Sequence, residues 1–527
     1  MSAPENLSRR DFLKLGGAGA ALLAAGGALA ACGSSPAAVT STTAKGVAPS
    51  RPRSGGTLHA ALSGGTSSDT LDAQGVINSV DFSRVISLYN SPVEFGIDGR
   101  PQLSLMESIT PNATATEWVM RLRPGISFHN GKTLDADDLI FSFQRVMNPK
   151  NLLPGASSLS LLDAKHLKKL DERTVSFPFL SAFSPFVQVL CNYYYYVVPV
   201  GYDPKHPVGT GPFKYQSFTP GQQSVFVKNE DYWETGLPYV DELIISDYAT
   251  ETGQINALLG GQADVIDALS AASVASLRAQ NLPVVISDSG GFTPFTMRVD
   301  TGPFKDVRVR QAMRYLVDRE QMREVVFGGY GLIGNDLYAI EDPDFDHSIP
   351  QRVQDIDRAK SLLAAAGQSG LQVQLTNSGI AAGTVEAATV FAQQAKSAGV
   401  NVSLQTLTPT AFFGTSYLKF EFAQDVWEPL YYLTMAAASS VPTAPFNENH
   451  FDNARYNSLY SEAIATLDPT KQRELVHEMQ TIDWDEGGYI IPYFTPFIDA
   501  HGKNVHGVKP AKELPLTNFQ FKYFWLD

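Results

Sequence analysis

The residues Gly329-Tyr330-Gly331-Leu332-Ile333-Gly334 have the spacing of a dinucleotide-binding turn, in which glycines let backbone approach a pyrophosphate. The run follows a helical pattern instead of a strand and opens no helix, so a glycine-rich loop is expected. Gly125 to Gly131-Lys132-Thr133 misses a phosphate-cradling loop by one intervening residue and reads as a turn. Asp135, Asp137 and Asp138 could act as paired acid and base. They precede Leu139, Phe143 and Val146 at helical spacing, and capping explains them better. The nine histidines are scattered without an HExxH or His/Cys cluster, so neither a metal site nor a cofactor is expected. No Gly-x-Ser-x-Gly elbow occurs. A hydrolase could use Asp485 and Glu486, but no nucleophile, base and orienter assemble around them. No catalytic assembly is therefore expected.

The N-terminus carries the most specific pattern. Ser8-Arg9-Arg10-Asp11-Phe12-Leu13-Lys14 resembles a twin-arginine export signal, and Leu29-Ala30-Ala31-Cys32 resembles a lipobox. Residues 1–31 would then be a signal peptide, and Cys32 would receive lipid through its thiol. A short membrane helix is the alternative. Its run of about 17 residues, rich in Gly and Ala, gives little insertion energy. Residues 32–54, rich in Ser, Thr, Ala and Pro, read as a lipidated, disordered tether reaching about 26 Å. The second cysteine, Cys191, is then alone, which excludes an internal disulfide and fits folding in the cytoplasm before export.

Positioning these residues requires a large body. The chain has 527 residues, 44% hydrophobic and 18% charged, enough for two to four structural lobes. Net charge is −14, with +1 on residues 1–31 and −15 on the remainder. An acidic body excludes nucleic acid as the main partner, and anionic lipid too. The membrane is then met only through the lipid anchor.

The body reads as mixed α/β. Leu371, Val373 and Leu375 alternate as one strand, and Val400, Val402 and Leu404 as another. Between them Ala388, Phe391, Ala392, Ala395 and Ala398 share a helical face. A second strand–helix–strand unit runs from Leu243-Ile244-Ile245 through Ile255, Leu258 and Leu259 to Asp264-Val265-Ile266. Val309, Ala312, Met313, Leu316 and Val317 predict one helix from near Asp306 to Gly328-Gly329. Another is expected from Ile356 to Gly367. Residues 100–200 read as strand-rich, with Trp118, Met120 and Leu122 alternating and Tyr193-Tyr194-Tyr195-Tyr196 in a β-prone run.

Several stretches together resemble the family 5 extracellular solute-binding proteins of ABC importers. They are Trp118 to Gly131 with Asp138, Ser142 and Arg145; Pro207-Val208-Gly209-Thr210-Gly211-Pro212-Phe213; Asn229, Tyr232-Trp233 and Asp241; Pro303-Phe304 with Asp306 to Ala312; and Asp357 to Gly367. The resemblance implies a two-lobed periplasmic-binding-protein type II fold with an extra domain in the first lobe. Lobe I would be 55–98, 205–292 and 493–527, the extra domain 99–204, and the other lobe 293–492. The hinge would lie at Phe292, Met297 and Pro492. The implied partners are a small solute, a permease and ATPase subunits, and the chain would be a monomer anchored on the outer face of the cytoplasmic membrane.

The implied ligand-binding residues are Thr66, Ser67, Tyr89, Asn335, Asp425, Trp427, Glu428, Tyr431 and Tyr432. Peptide-binding members place an Asp shortly after a Gly-Trp to receive the peptide ammonium. Here the stretch reads Asp425-Val426-Trp427-Glu428-Pro429-Leu430-Tyr431-Tyr432, shortened after Trp427, so Asp425 or Glu428 would take that part. A peptide is the implied ligand, and a sugar or a metal chelate is the alternative.

Overall fold

The structure, a computed structural model, describes residues 51–76 and 78–527. Arg9, Arg10 and Cys32 lie outside the described residues, as does the tether up to residue 50.

A seven-stranded sheet organises the first body, in the order Val284–Asp288, Pro496–His501, Val265–Ile266, Thr57–Ser63, Glu242–Tyr248, Gln223–Lys228 and Phe213–Thr219. The two strands expected around Ile244 and Val265 both belong to it, but they do not pair with each other. Thr57–Ser63 lies between them, parallel to both. Leu58, Ala60, Ala61 and Leu62 are all buried, which suits a strand covered on both faces.

The second body holds a five-stranded sheet, in the order Asn401–Leu407, Gln372–Ser378, Phe422–Gln424, Phe295–Met297 and Tyr489–Ile490. Val373 faces Val402 and Leu375 faces Leu404 in parallel register, as the alternation predicts. Helix Thr384–Lys396 joins these two strands and buries Ala388, Phe391, Ala392 and Ala395 against the sheet. Between the first-body segments, residues 106–178 form a four-stranded sheet backed by helix Ala136–Val146. Asp135 and Asp138 make a reciprocal capping box at that helix, so their role is structural.

Two sequence expectations are corrected. The helix from Asp306 is two helices, Val307–Tyr315 and Arg319–Phe327. Asp318 breaks it by accepting the Gln321 amide at 2.9 Å, while its own N–H and C=O are taken by the Gln394 side chain. Left-handed Gly328 closes the second helix. Tyr193–Tyr196 is not a strand. Its rings are claimed by two different cores, Tyr195 by the cluster around Phe143 and Phe177 and Tyr196 by that around Phe213 and Phe226. A segment that serves two cores has no free edge to pair.

Candidate functional site: the cleft between the two bodies

The sheet registers locate the cleft. Ala61 lies beside Ile266, Ile266 beside Ala500, and Ala500 beside Val284. The carboxyl end of Thr57–Ser63 therefore points toward Asp288 and Pro496, where the chain leaves for the second body. Ligands of open α/β sheets bind at such carboxyl ends.

Two segments cross, 289–294 and 491–495. Thr495 N donates to Gly291 O at 2.8 Å, and Ser289 Oγ donates to Thr495 O at 2.7 Å. Phe292 and Trp427 exchange both backbone hydrogen bonds, at 3.0 and 2.9 Å. Phe292 thus sits in a crossing, and so does Pro492, whose carbonyl accepts from Gly334 N. Met297 does not. It lies past the crossing, buried in the second sheet.

Next to the crossing is a narrow inter-body gap, with Phe95, Gly99 and Glu513 on one side. Gly290, Ala339, Glu341, Asp342, Pro429, Leu430 and Tyr431 complete it. Three contacts hold its walls together. Tyr431 Oη donates to Gly99 O at 2.9 Å, the Phe95 and Tyr431 rings stack 6.0 Å apart, and Lys512 pairs with Glu341.

The electrostatics are acidic. Burial, reinforced by Glu341 and Glu428, pushes the Glu513 carboxyl well above its usual range, and Lys512 only partly offsets this. Glu428 is solvent-exposed, yet the surrounding protein displaces enough water to raise its carboxyl as well. Its charge acts on Tyr193, Tyr194 and Glu513 from the second body, beside its neighbour Pro429 on the gap wall.

Asp425 is placed differently. It is buried beside Tyr417 and Glu448, and burial pushes its carboxyl up to about 6. Glu448 Oε1 accepts from Trp427 Nε1 at 2.9 Å and from Tyr489 Oη at 3.0 Å. Two buried carboxylates thus lie under the half-buried Trp427.

The other expected residues divide. Tyr431 lines the gap. Tyr432 does not, being fully buried with its hydroxyl given to Asp483 and its amide to Asp342. Tyr89 is buried in the first core, its hydroxyl on Leu71 O at 2.9 Å. Asn335 is spent on its own body, donating to Pro350 O and accepting from Arg352 N. Thr66 and Ser67 are exposed at the carboxyl end of Thr57–Ser63, where Asp69 holds the turn through the Thr66 amide. Sequence reasoning missed Phe95, Glu341, Glu448, Lys512 and Glu513. No local pattern marks them, since Lys512 and Glu341 stand 171 residues apart.

Two α/β bodies joined by two short crossings are the architecture of periplasmic binding proteins, a class of transport receptors. Solved structures agree on the fold. The agropinic acid complex of AgaA from A. tumefaciens R10 matches with a TM-score of 0.76 at 22% identity, covering 90% of this chain and 99% of that one. The nonapeptide complex of the Bacillus subtilis oligopeptide-binding protein AppA gives 0.74 at 20%, covering 90% and 100%. Residues 100–456 match the family described as bacterial extracellular solute-binding proteins, family 5 Middle, and the chain belongs to that family. Among curated relatives, the glutathione-binding protein GsiB of Pectobacterium atrosepticum is 24% identical over 499 residues, 88% of this chain and 93% of its own. Heme-binding protein A of Haemophilus influenzae is 24% identical over 446 residues, covering 76% and 81%.

Proposed function

We propose that this chain is the lipid-anchored receptor of an ABC importer and that it captures a cationic, amine-bearing solute, with peptides the favoured class. The lobes would be those expected from the sequence, with Cys32 as the lipidated residue. One observation carries the reading of charge: Glu341, Asp342 and Glu513 line the gap, Glu428 acts on Glu513 from beside it, and Lys512 is paired with Glu341. Enclosing an ammonium is costly unless a carboxylate meets it, and this gap supplies more carboxylate than its own lysine neutralises. Asp425 and Glu448 offer a second acidic position under Trp427.

Relatives named for glutathione and heme, and solved neighbours holding agropinic acid and a nonapeptide, indicate how widely such a cleft is adapted. Calorimetric titration of dipeptides against Glu428→Gln and Asp425→Asn tests the reading. Losing a partner of an enclosed ammonium costs about 3–5 kcal/mol, or at least a hundredfold in affinity. If neither variant weakens binding more than about threefold while Trp427→Ala abolishes it, the solute is neutral and held by stacking. Release of a chemically altered product would make the protein a hydrolase instead.

A further inference from the structure

The gap between the bodies is lined by the carboxyl groups of Glu341, Asp342 and Glu513 and by no lysine or arginine. Asp342 is spent on its own body, where it accepts from the amides of Tyr432 and Asp344. Glu341 and Glu513 are left to be neutralised. The ammonium that acts on both is that of Lys512, which reaches across from the first body to pair with Glu341.

The backbone on either side of Lys512 is fixed. Ala511 N donates to Ser287 Oγ at 3.2 Å, on strand Val284–Asp288. Asn518 Oδ1 accepts from Glu513 N at 3.3 Å and from Leu514 N at 2.9 Å. Asn518 itself lies in a turn of left-handed residues, Leu516, Thr517, Asn518 and Phe519, held by Asp499 through the Leu516 amide at 2.8 Å. Left-handed backbone without glycine is costly, so these contacts, and not local preference, set the shape of the arm. The Lys512 side chain has the freedom its backbone lacks. It is 37% exposed, and its stem runs past Gly99, where a Cβ would stand 3.4 Å from Lys512 Cδ. Rotation of the stem alone carries the ammonium from Glu341 into water.

We propose that Lys512 is an internal competitor of the solute: its ammonium holds the acidic position that the solute's own ammonium takes, and it swings out when the solute binds. The proposal rests on the cationic-solute reading and adds a regulation of that site. A site blocked by a tethered cation nine times in ten binds about tenfold more weakly than the same site unblocked. Lys512 thereby sets a threshold, and a solute must bring enough further contact to displace it.

Calorimetry of dialanine against Lys512→Met is the test. Methionine keeps a stem beside Gly99 and removes the charge. Affinity should rise at least about fivefold. Lys509→Met, an exposed lysine on the same arm, should change it by less than about twofold. In a Glu341→Gln background the gain from Lys512→Met should vanish, because the acceptor that Lys512 vacates is gone. N-acetyl-dialanine, which lacks the ammonium, should gain nothing. Weaker binding by Lys512→Met overturns the proposal and makes the lysine a strut between the bodies. Unchanged binding overturns it as well, and so does a gain that survives Glu341→Gln, which is then a field effect of the lost charge. Absence of dialanine binding by both proteins is equally decisive against it, since unblocking the site should have revealed it. In each of these cases the Glu428→Gln and Asp425→Asn titrations, extended to other amines, judge the cationic-solute reading separately, because Lys512 is paired with neither residue.

Discussion

At the residue scale, the most consequential charge is one that no sequence motif marks. Arg84 is fully buried, and its guanidinium meets Asp69 at 3.0 Å, Asp81 at 2.7 Å, Ser224 Oγ at 2.6 Å and also Asp247. These residues come from the loop after Thr57–Ser63, from helix Ser79–Leu88 and from strands Gln223–Lys228 and Glu242–Tyr248, so one side chain ties four segments at the cleft end of the first sheet. Arg84→Ala leaves three carboxylates buried without their cation. It should cost about 3–5 kcal/mol, read as a fall in the denaturation midpoint. A loss below about 1 kcal/mol would mean that water reaches the site freely. Asp425 makes the opposite prediction. Its carboxyl, pushed up to about 6, burdens the native state once ionised. Asp425→Asn should therefore stabilise the unliganded protein at pH 8, by an amount of order 3 kcal/mol at most, and by much less at pH 5.

At the element scale, the loop 328–334 is shaped by the second crossing. Leu332–Ile333 pairs antiparallel with Tyr493–Phe494. Gly331 has φ +83°, and a Cβ there would collide with the Phe494 carbonyl. Gly334 is pressed equally close to the Ile491 carbonyl. These glycines serve backbone approach to the crossing strand and have no nucleotide to cradle. Gly331→Ala combines left-handed strain with a backbone clash, so it should cost more than about 1 kcal/mol. It should also loosen the crossing, visible as faster amide exchange at Tyr493 and Phe494. Unchanged exchange there would separate the glycine from the hinge.

At the scale of the whole molecule, buried acids set the pH response. Burial pushes Asp267, Asp342, Asp425 and Asp483 up to about 6, and raises Glu448, Asp499 and Glu513 well above their usual range. An unfolded carboxyl titrates near 4, so between about pH 4 and each raised value the native state binds more protons than the unfolded chain. Stability therefore falls as pH rises through that window. His129, pushed down to about 4, and His501, also lowered by burial, act in the opposite sense below their unfolded value near 6.5. Seven acids outweigh these two. The unliganded thermal midpoint should rise as pH drops from 8 to 6, and calorimetry showing a flat or falling midpoint would contradict this. A cation bound by the cleft acids among them, Asp342, Asp425, Glu448 or Glu513, should reverse the trend, because it favours their ionised forms and so binds more weakly as pH falls.

Much was determined by the sequence alone. The parallel pair at Val373 and Val402, the helix over Phe391 and the Asp135 cap all follow from contacts within a few dozen residues, where periodicity and capping act. Family membership was legible too, because its motifs are local. The site was legible only in part. Tyr431 reaches the gap, whereas Tyr432 and Asn335 are spent within their own body, since residue type alone cannot tell a ring in a core from a ring on a wall. The break at Asp318 depended on Gln394, and the irregular path of Tyr193–Tyr196 on two cores competing for adjacent rings. Glu341, Lys512 and Glu513 met at the candidate site only when folding brought together residues 171 or 172 positions apart. Local physics fixes which elements form, but closure of the two bodies is a long-range event, and it alone decided which charges meet.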